Sequence, residues 1–229
     1  MAVRTAAALI ALPLVLVALV LVGGNTGPGR HIAARLVARI SGGDLRVSGL
    51  SGRFPDRLRI ARMDIRDRRG VWARVADLGI DWSPLALWHG VVRIDRLAAA
   101  HVTVLRRPVL AGAGAALPLP VAITALRVDR LDLAAPVVGA AATLGLAGRV
   151  RLTSFEQGRV ALVAERLDRP GYYRIAGAFA PTALALDLAV AEPARGLVAA
   201  LAGLPDLGAF GVTARLAGPP AAARTRLAL

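Results

Sequence analysis

The sequence predicts a mainly β body with a few short helices, set behind one N-terminal transmembrane helix. Three observations carry that class. An unbroken apolar run occupies residues 6–22. From Asp44 onward the apolar residues recur with period two instead of the helical period. Gly, Pro and Asp-Arg-Pro signals then cut that pattern at short intervals. With 56% of its 229 residues hydrophobic and 19% charged, the chain has apolar surface to bury, which argues against disorder.

The first element, residues 1–24, is a cytoplasmic tip and membrane anchor. Ala6 to Val22 holds only Ala, Leu, Ile, Val and Pro13, and as a helix it spans about 26 Å, close to a bilayer core. Proline is tolerated in such a helix. Candidate anchor residues are Ala6, Leu9, Ile10, Leu12, Leu14, Leu16, Leu19 and Leu21. A cleavable signal has a shorter apolar region, about 7–15 residues, before a small-residue site. This run is longer and ends in Val22-Gly23-Gly24, which favours an uncleaved anchor. Arg4 precedes the span while Arg30, Arg35 and Arg39 follow it, so local charge favours a cytoplasmic C-terminal side. Long domains cross regardless of such charge, so orientation stays open at this point. In residues 25–43, Ile32, Leu36, Val37 and Ile40 recur at helical spacing among those arginines, up to Gly42-Gly43. This juxtamembrane amphipathic helix either lies on anionic headgroups or caps the first strands.

A first β segment covers 44–110. Leu58 and Ile60 share a face, and then Ala61, Met63 and Ile65 alternate one residue out of phase. The same slip separates Val71, Ala73 and Val75 from Leu78, Ile80 and Trp82. Such slips predict β-bulges or strand breaks. Ser83 to Trp88 reads as a helical turn with Ser83 as N-cap and Pro84 at the first position. Strands follow at 91–97 and 101–105, and then a low-complexity linker at 111–120. The second β segment, 121–229, carries strand patterns at 121–133, 143–152, 159–165, 172–179, 184–190 and 212–216. A short apolar helix at 195–204 interrupts it, and a new strand opens within 221–229. From Ala183 to Val190 the strand is apolar on one face and nearly so on the other. That suits a sheet covered on both sides, a concave face holding something greasy, or a plain β core in an Ala-rich chain.

The net charge of +14 invites a nucleic-acid reading, but all 29 basic residues are Arg and none is Lys, a compositional signature. The surplus is lopsided, with 17 Arg against 7 acids in residues 1–115 and 12 against 8 in the rest. Seven arginines crowd residues 53–69 beside one aromatic, Phe54, so a solvated or headgroup-facing surface is expected and nucleic acid is not. With no Lys there is no P-loop lysine, Schiff base or Ser-Lys dyad, and with no Cys no thiolate ligand or nucleophile. Three histidines, His31, His89 and His101, are too few for a structural zinc site; His89 and His101 lack acidic companions at ligand spacing, while Asp64/Asp67 and Asp129/Asp132 sit among arginines as solvated salt-bridging faces. No enzyme, metal or cofactor is expected.

Several motifs stand together. Gly24-Asn25-Thr26-Gly27-Pro28-Gly29-Arg30 follows the anchor, Asp44 to Pro55 follows the amphipathic helix, and Gly70-Val71-Trp72-Ala73-Arg74-Val75 follows the first strands. Then come Asp81-Trp82-Ser83-Pro84-Leu85-Ala86-Leu87-Trp88-His89-Gly90 before a strand, and Pro193 to Pro205 later in the chain. This order resembles the N-terminal part of TamB-type proteins, inner-membrane subunits of the translocation and assembly module within the AsmA-like group. The resemblance implies a single-pass inner-membrane anchor with a cytoplasmic N-terminus and a periplasmic body of antiparallel strands. Those strands would be stacked and curled into a β-taco-like groove without catalysis. It further implies a role in outer-membrane biogenesis: outer-membrane protein assembly with a TamA-type barrel partner, and phospholipid movement between membranes. Groove-lining contacts for phospholipid acyl chains would then be Leu58, Ile60, Ile65, Ile80, Val92, Ile94, Val102, Val104, Leu184, Leu186, Leu188 and Val190.

TamB-type proteins are usually several times longer, and the C-terminal region that engages the barrel partner has no counterpart here. Even about 15 stacked strands at about 4.8 Å span only about 70 Å, so the chain is expected to be the first part of a longer groove. The competing expectations are a non-catalytic structural or interaction module that recruits partners through its strand edges, and a non-functional truncated fragment.

Overall fold

The structure, a computed structural model, describes residues 44–53, 55–109, 119–154, 156–194, 196–202, 208–219 and 224–228. The anchor residues Ala6 to Leu21 and the amphipathic helix of 25–43 lie outside the described residues. Among those described, no helix is long and apolar enough to cross a membrane.

Eleven strands form one open sheet in which spatial order follows chain order. They are β1 (Leu45–Arg53), β2 (Arg57–Asp67), β3 (Gly70–Ser83), β4 (Val92–Val104), β5 (Val121–Leu133), β6 (Ala142–Leu152), β7 (Gly158–Arg166), β8 (Tyr172–Ala180), β9 (Ala183–Glu192), β10 (Phe210–Gly218) and β11 (Arg224–Ala228). A 3₁₀ turn at Pro84–His89 links β3 to β4. Helix α1 (Ala135–Val138) lies between β5 and β6, and α2 (Leu197–Ala202) between β9 and β10.

Three expectations are corrected here. The sheet is mixed, because β4 and β5 run parallel, Val92 beside Val121 and Val104 beside Leu133. A parallel pair needs a return connection in place of a tight hairpin, and the residues read as a linker belong to that return. The runs at 91–97 and 101–105 are a single strand, β4. Ser83 occupies the N-cap position but does not cap: its hydroxyl instead donates to Asp95 Oδ2 at 2.5 Å.

The phase slips in the sequence have a different origin from the bulges expected. In five adjacent strands, two core-facing residues stand three positions apart instead of two: Val47 and Leu50, Ile60 and Met63, Val75 and Leu78, Ala99 and Val102, Val128 and Leu131. These steps line up across the sheet, since Arg62 pairs with Ala76, Ala76 with His101 and His101 with Arg130. From β1 to β4 pairing continues through the line without a register shift there. The change of facing is taken up by the backbone, with φ +67° at Gly49 and +50° at Asp77. A left-handed conformation suits glycine and is tolerated by aspartate. At Gly49 a Cβ would also fall 2.5 Å from that of Ala61. Between β5 and β6 the register does shift, from Val128 to Leu131, and this absorbs the step. Strands β6 to β10 consequently alternate without interruption.

Candidate functional site

Following the register from strand to strand places all twelve predicted groove residues on one face of the sheet, termed here the inner face. That face differs along its length. Under β1 to β5 it carries a packed core in which Leu58, Ile80 and Val92 are each 1% exposed and Ile94 is 2% exposed. Trp82 belongs to the same core and donates its indole N–H to Pro55 O at 2.6 Å. Leu58, Ile60, Ile80, Val92 and Ile94 therefore present no surface to a ligand in this state, contrary to the expectation that they line an accessible groove. Ile65, Val102, Val104, Leu184, Leu186, Leu188 and Val190 are half-buried on the same face and are the members left accessible.

Across β8 to β10 the accessible residues form a continuous apolar surface, because Leu186 sits between Gly177 and Leu216, and Leu188 between Ile175 and Ala214. One end of this surface is closed. Leu197 of α2 is buried in one cluster with Ala142 and Leu144, against which Leu131, Leu133, Val138 and Tyr173 pack. A carboxylate holds α2 there. Buried Glu192 accepts the phenol proton of Tyr173 and the backbone N–H groups of Leu197 (2.7 Å) and Val198 (2.9 Å). Burial, reinforced by the Glu192 charge, pushes the Tyr173 phenol well above its ordinary value. Beside it the buried Arg166 guanidinium bonds Asp168 at 2.9 and 2.5 Å.

The remaining polar groups read as structural. Asp67, expected to be solvated, has a carboxylate only 1% exposed. It accepts from Arg106 at 2.7 and 2.5 Å and from the N–H groups of Arg69 (2.7 Å) and Val109 (2.8 Å). The hydrogen-bonded Arg106 guanidinium holds it far below the usual carboxylate range despite its burial. His101 does have an acidic companion: its Nε2 lies 2.6 Å from Asp132 Oδ2. Sequence spacing could not reveal this pair, which depends on parallel pairing across 31 residues. Partial burial raises the Asp132 pKa, but bonds from Arg130, Thr143 and His101 outweigh it and hold the group at about 2. Among the described residues no three His, Asp or Glu side chains are grouped to hold a metal ion.

Compared with protein-family models, curated proteins and solved structures, the chain matches none.

Proposed function

We propose that the chain is a non-catalytic β-groove protein anchored in the inner membrane, with a periplasmic body whose inner face holds phospholipid acyl chains during outer-membrane biogenesis. The observation that carries this reading is the half-buried apolar row Leu184, Leu186, Leu188 and Val190, flanked by Ile175, Val212 and Leu216 on the neighbouring strands. A curled sheet would wrap that row around a lipid tail. Each methylene withdrawn from water contributes about 0.8 kcal/mol, and because many such contacts are weak and undirected, a tail can slide along them. The resemblance to TamB-type proteins supplies the envelope setting, the cytoplasmic N-terminus and the TamA-type partner.

A second reading applies to the first half. The packed core under β1 to β5 suits an interaction module with a closed core, in which partners are recruited at strand edges.

Photo-reactive residues placed at Leu186 and Leu188 of the full chain in native membranes test the proposal. Phospholipid adducts, found by mass spectrometry, are expected there and not at Ala147, which points to the opposite face. Adducts absent from both leucines, or equally frequent at Ala147, would overturn it.

A further inference from the structure

On the outer face, opposite the core, three arginines of the second half have an acid at hand. Arg127 holds Asp129 at 2.5 Å, Arg130 holds Asp132 at 3.0 Å and Arg215 holds Asp187 at 2.5 Å. Arg174 of β8 and Arg226 of β11 have no such pair among the described residues, and nor do Arg149 and Arg151 of β6 and Arg159 of β7, which alone of these stand together. The last three are all exposed. Yet they are neighbours: Arg151 pairs directly with Arg159, and Arg149, two positions away on the same face, pairs with Ala161. Directly opposed side chains stand about 5 Å apart at Cβ, and like charges so placed repel. Three positive charges are therefore concentrated on one spot at a cost to the sheet.

The spot is concave. A cleft of about 530 Å³ is lined by Thr124, Arg149, Arg151, Arg159, Ala161 and Ala176, among others. A second, of about 420 Å³, shares Arg151 and Arg159 and continues over Ala178 and Ala185. Charge thus stands at the junction of two shallow, alanine-floored troughs.

We propose that Arg149, Arg151 and Arg159 form a phosphate-binding site, with the alanine floor taking the organic part of a phosphoester. Guanidinium forks match the oxygens of phosphate and carboxylate alike. Three forks carry more donors than the two oxygens of one carboxylate can accept, whereas a tetrahedral phosphate offers acceptors on several sides. An extended acidic peptide spreads its charges along a strand and does not use three cations at one point. The site lies on the face opposite the acyl-chain row and does not depend on that row binding lipid.

The test uses the full chain in uncharged detergent, titrated calorimetrically with inorganic phosphate, glycerol 3-phosphate and micelle-dissolved phosphatidylglycerol. Succinate and phosphatidylcholine serve as matched controls. Saturable phosphate binding is expected, weakened at least tenfold in the Arg151→Gln/Arg159→Gln variant. In the same variant, relief of repulsion raises Tm by about 1–2 °C. Arg62→Gln, which removes an equally exposed charge in the first half, leaves affinity within twofold. Tighter binding of phosphatidylglycerol than of glycerol 3-phosphate identifies a lipid headgroup as the source, and the reverse identifies a soluble phosphoester. No saturable binding, succinate or phosphatidylcholine bound as well as phosphate ligands, or equal loss in Arg62→Gln would overturn the site. So would a double variant that binds as the parent does or melts at a lower temperature.

Discussion

The two halves of the sheet share one apolar inner face and bury it differently. Under β1 to β5 the inner face is built from large side chains, including Leu58, Ile80, Trp82 and Ile94, which exclude water completely. From β6 onward the same face is diluted by small residues: Gly148, Gly158, Ala164, Gly177, Ala214 and Gly218 stand where their partners across the strand are mostly Leu, Val or Phe. Leucines set among glycines have no neighbours tall enough to cover them. One continuous apolar face thus becomes a core in one half and an accessible apolar surface in the other. Side-chain size, which periodicity ignores, decides which.

The largest effects should separate those halves. Leu58→Ala should cost about 3 kcal/mol of stability in denaturant unfolding, because a fully buried leucine leaves a cavity. The same truncation at Leu188 should cost about 1 kcal/mol or less. Equal costs would mean that the second half is as closed as the first. The next largest effect concerns the first half's polar clamp. Arg106→Ala strands the buried Asp67 carboxylate and should cost about 3 kcal/mol. The sign with pH follows from the depressed pKa values of Asp67 and Asp132. Their stabilisation is complete above the unfolded carboxylate value of about 4 and is lost as pH falls through the folded values. Tm measured from about pH 5 to pH 2 should therefore fall, and Asp67→Asn should flatten part of that slope.

At the closed end of the second half, Glu192→Ala removes the acceptor shared by Tyr173, Leu197 and Val198. It should cost about 2 kcal/mol and raise amide exchange in α2 while leaving β1 to β5 protected. The smallest effect is expected at the line where facing changes. Gly49→Ala sets a Cβ against Ala61 at a left-handed φ, which should cost about 1 kcal/mol.

Much of this fold was legible because period-two alternation reports strands directly. Leu184 to Val190 and Tyr172 to Phe179 were placed as strands within a few residues of β9 and β8. The slips after Ile60 and Val75 were also visible, but their cause was not, since a step shared by five strands looks like a bulge when each is read alone. Parallel pairing of β4 with β5 was hidden, because no sequence pattern marks which neighbour a strand returns to. The His101–Asp132 pair and the burial of Asp67 were hidden with it, the latter resting on Arg106, 39 residues away. The twelve apolar candidates lie on one face, but alternation cannot say which of them are covered. The Arg149, Arg151 and Arg159 cluster was missed because hairpin register, not sequence proximity, sets Arg159 opposite Arg151.

The chain contains no cysteine, so single-cysteine labelling has no background. The most direct measurement is the rate at which a lipophilic maleimide modifies Leu188→Cys and Ile80→Cys in the folded full chain, with and without added phospholipid. The account predicts fast labelling at position 188 that phospholipid blocks, and labelling at position 80 only after unfolding. Equal rates at the two positions, or labelling at 188 that phospholipid leaves unchanged, would contradict it.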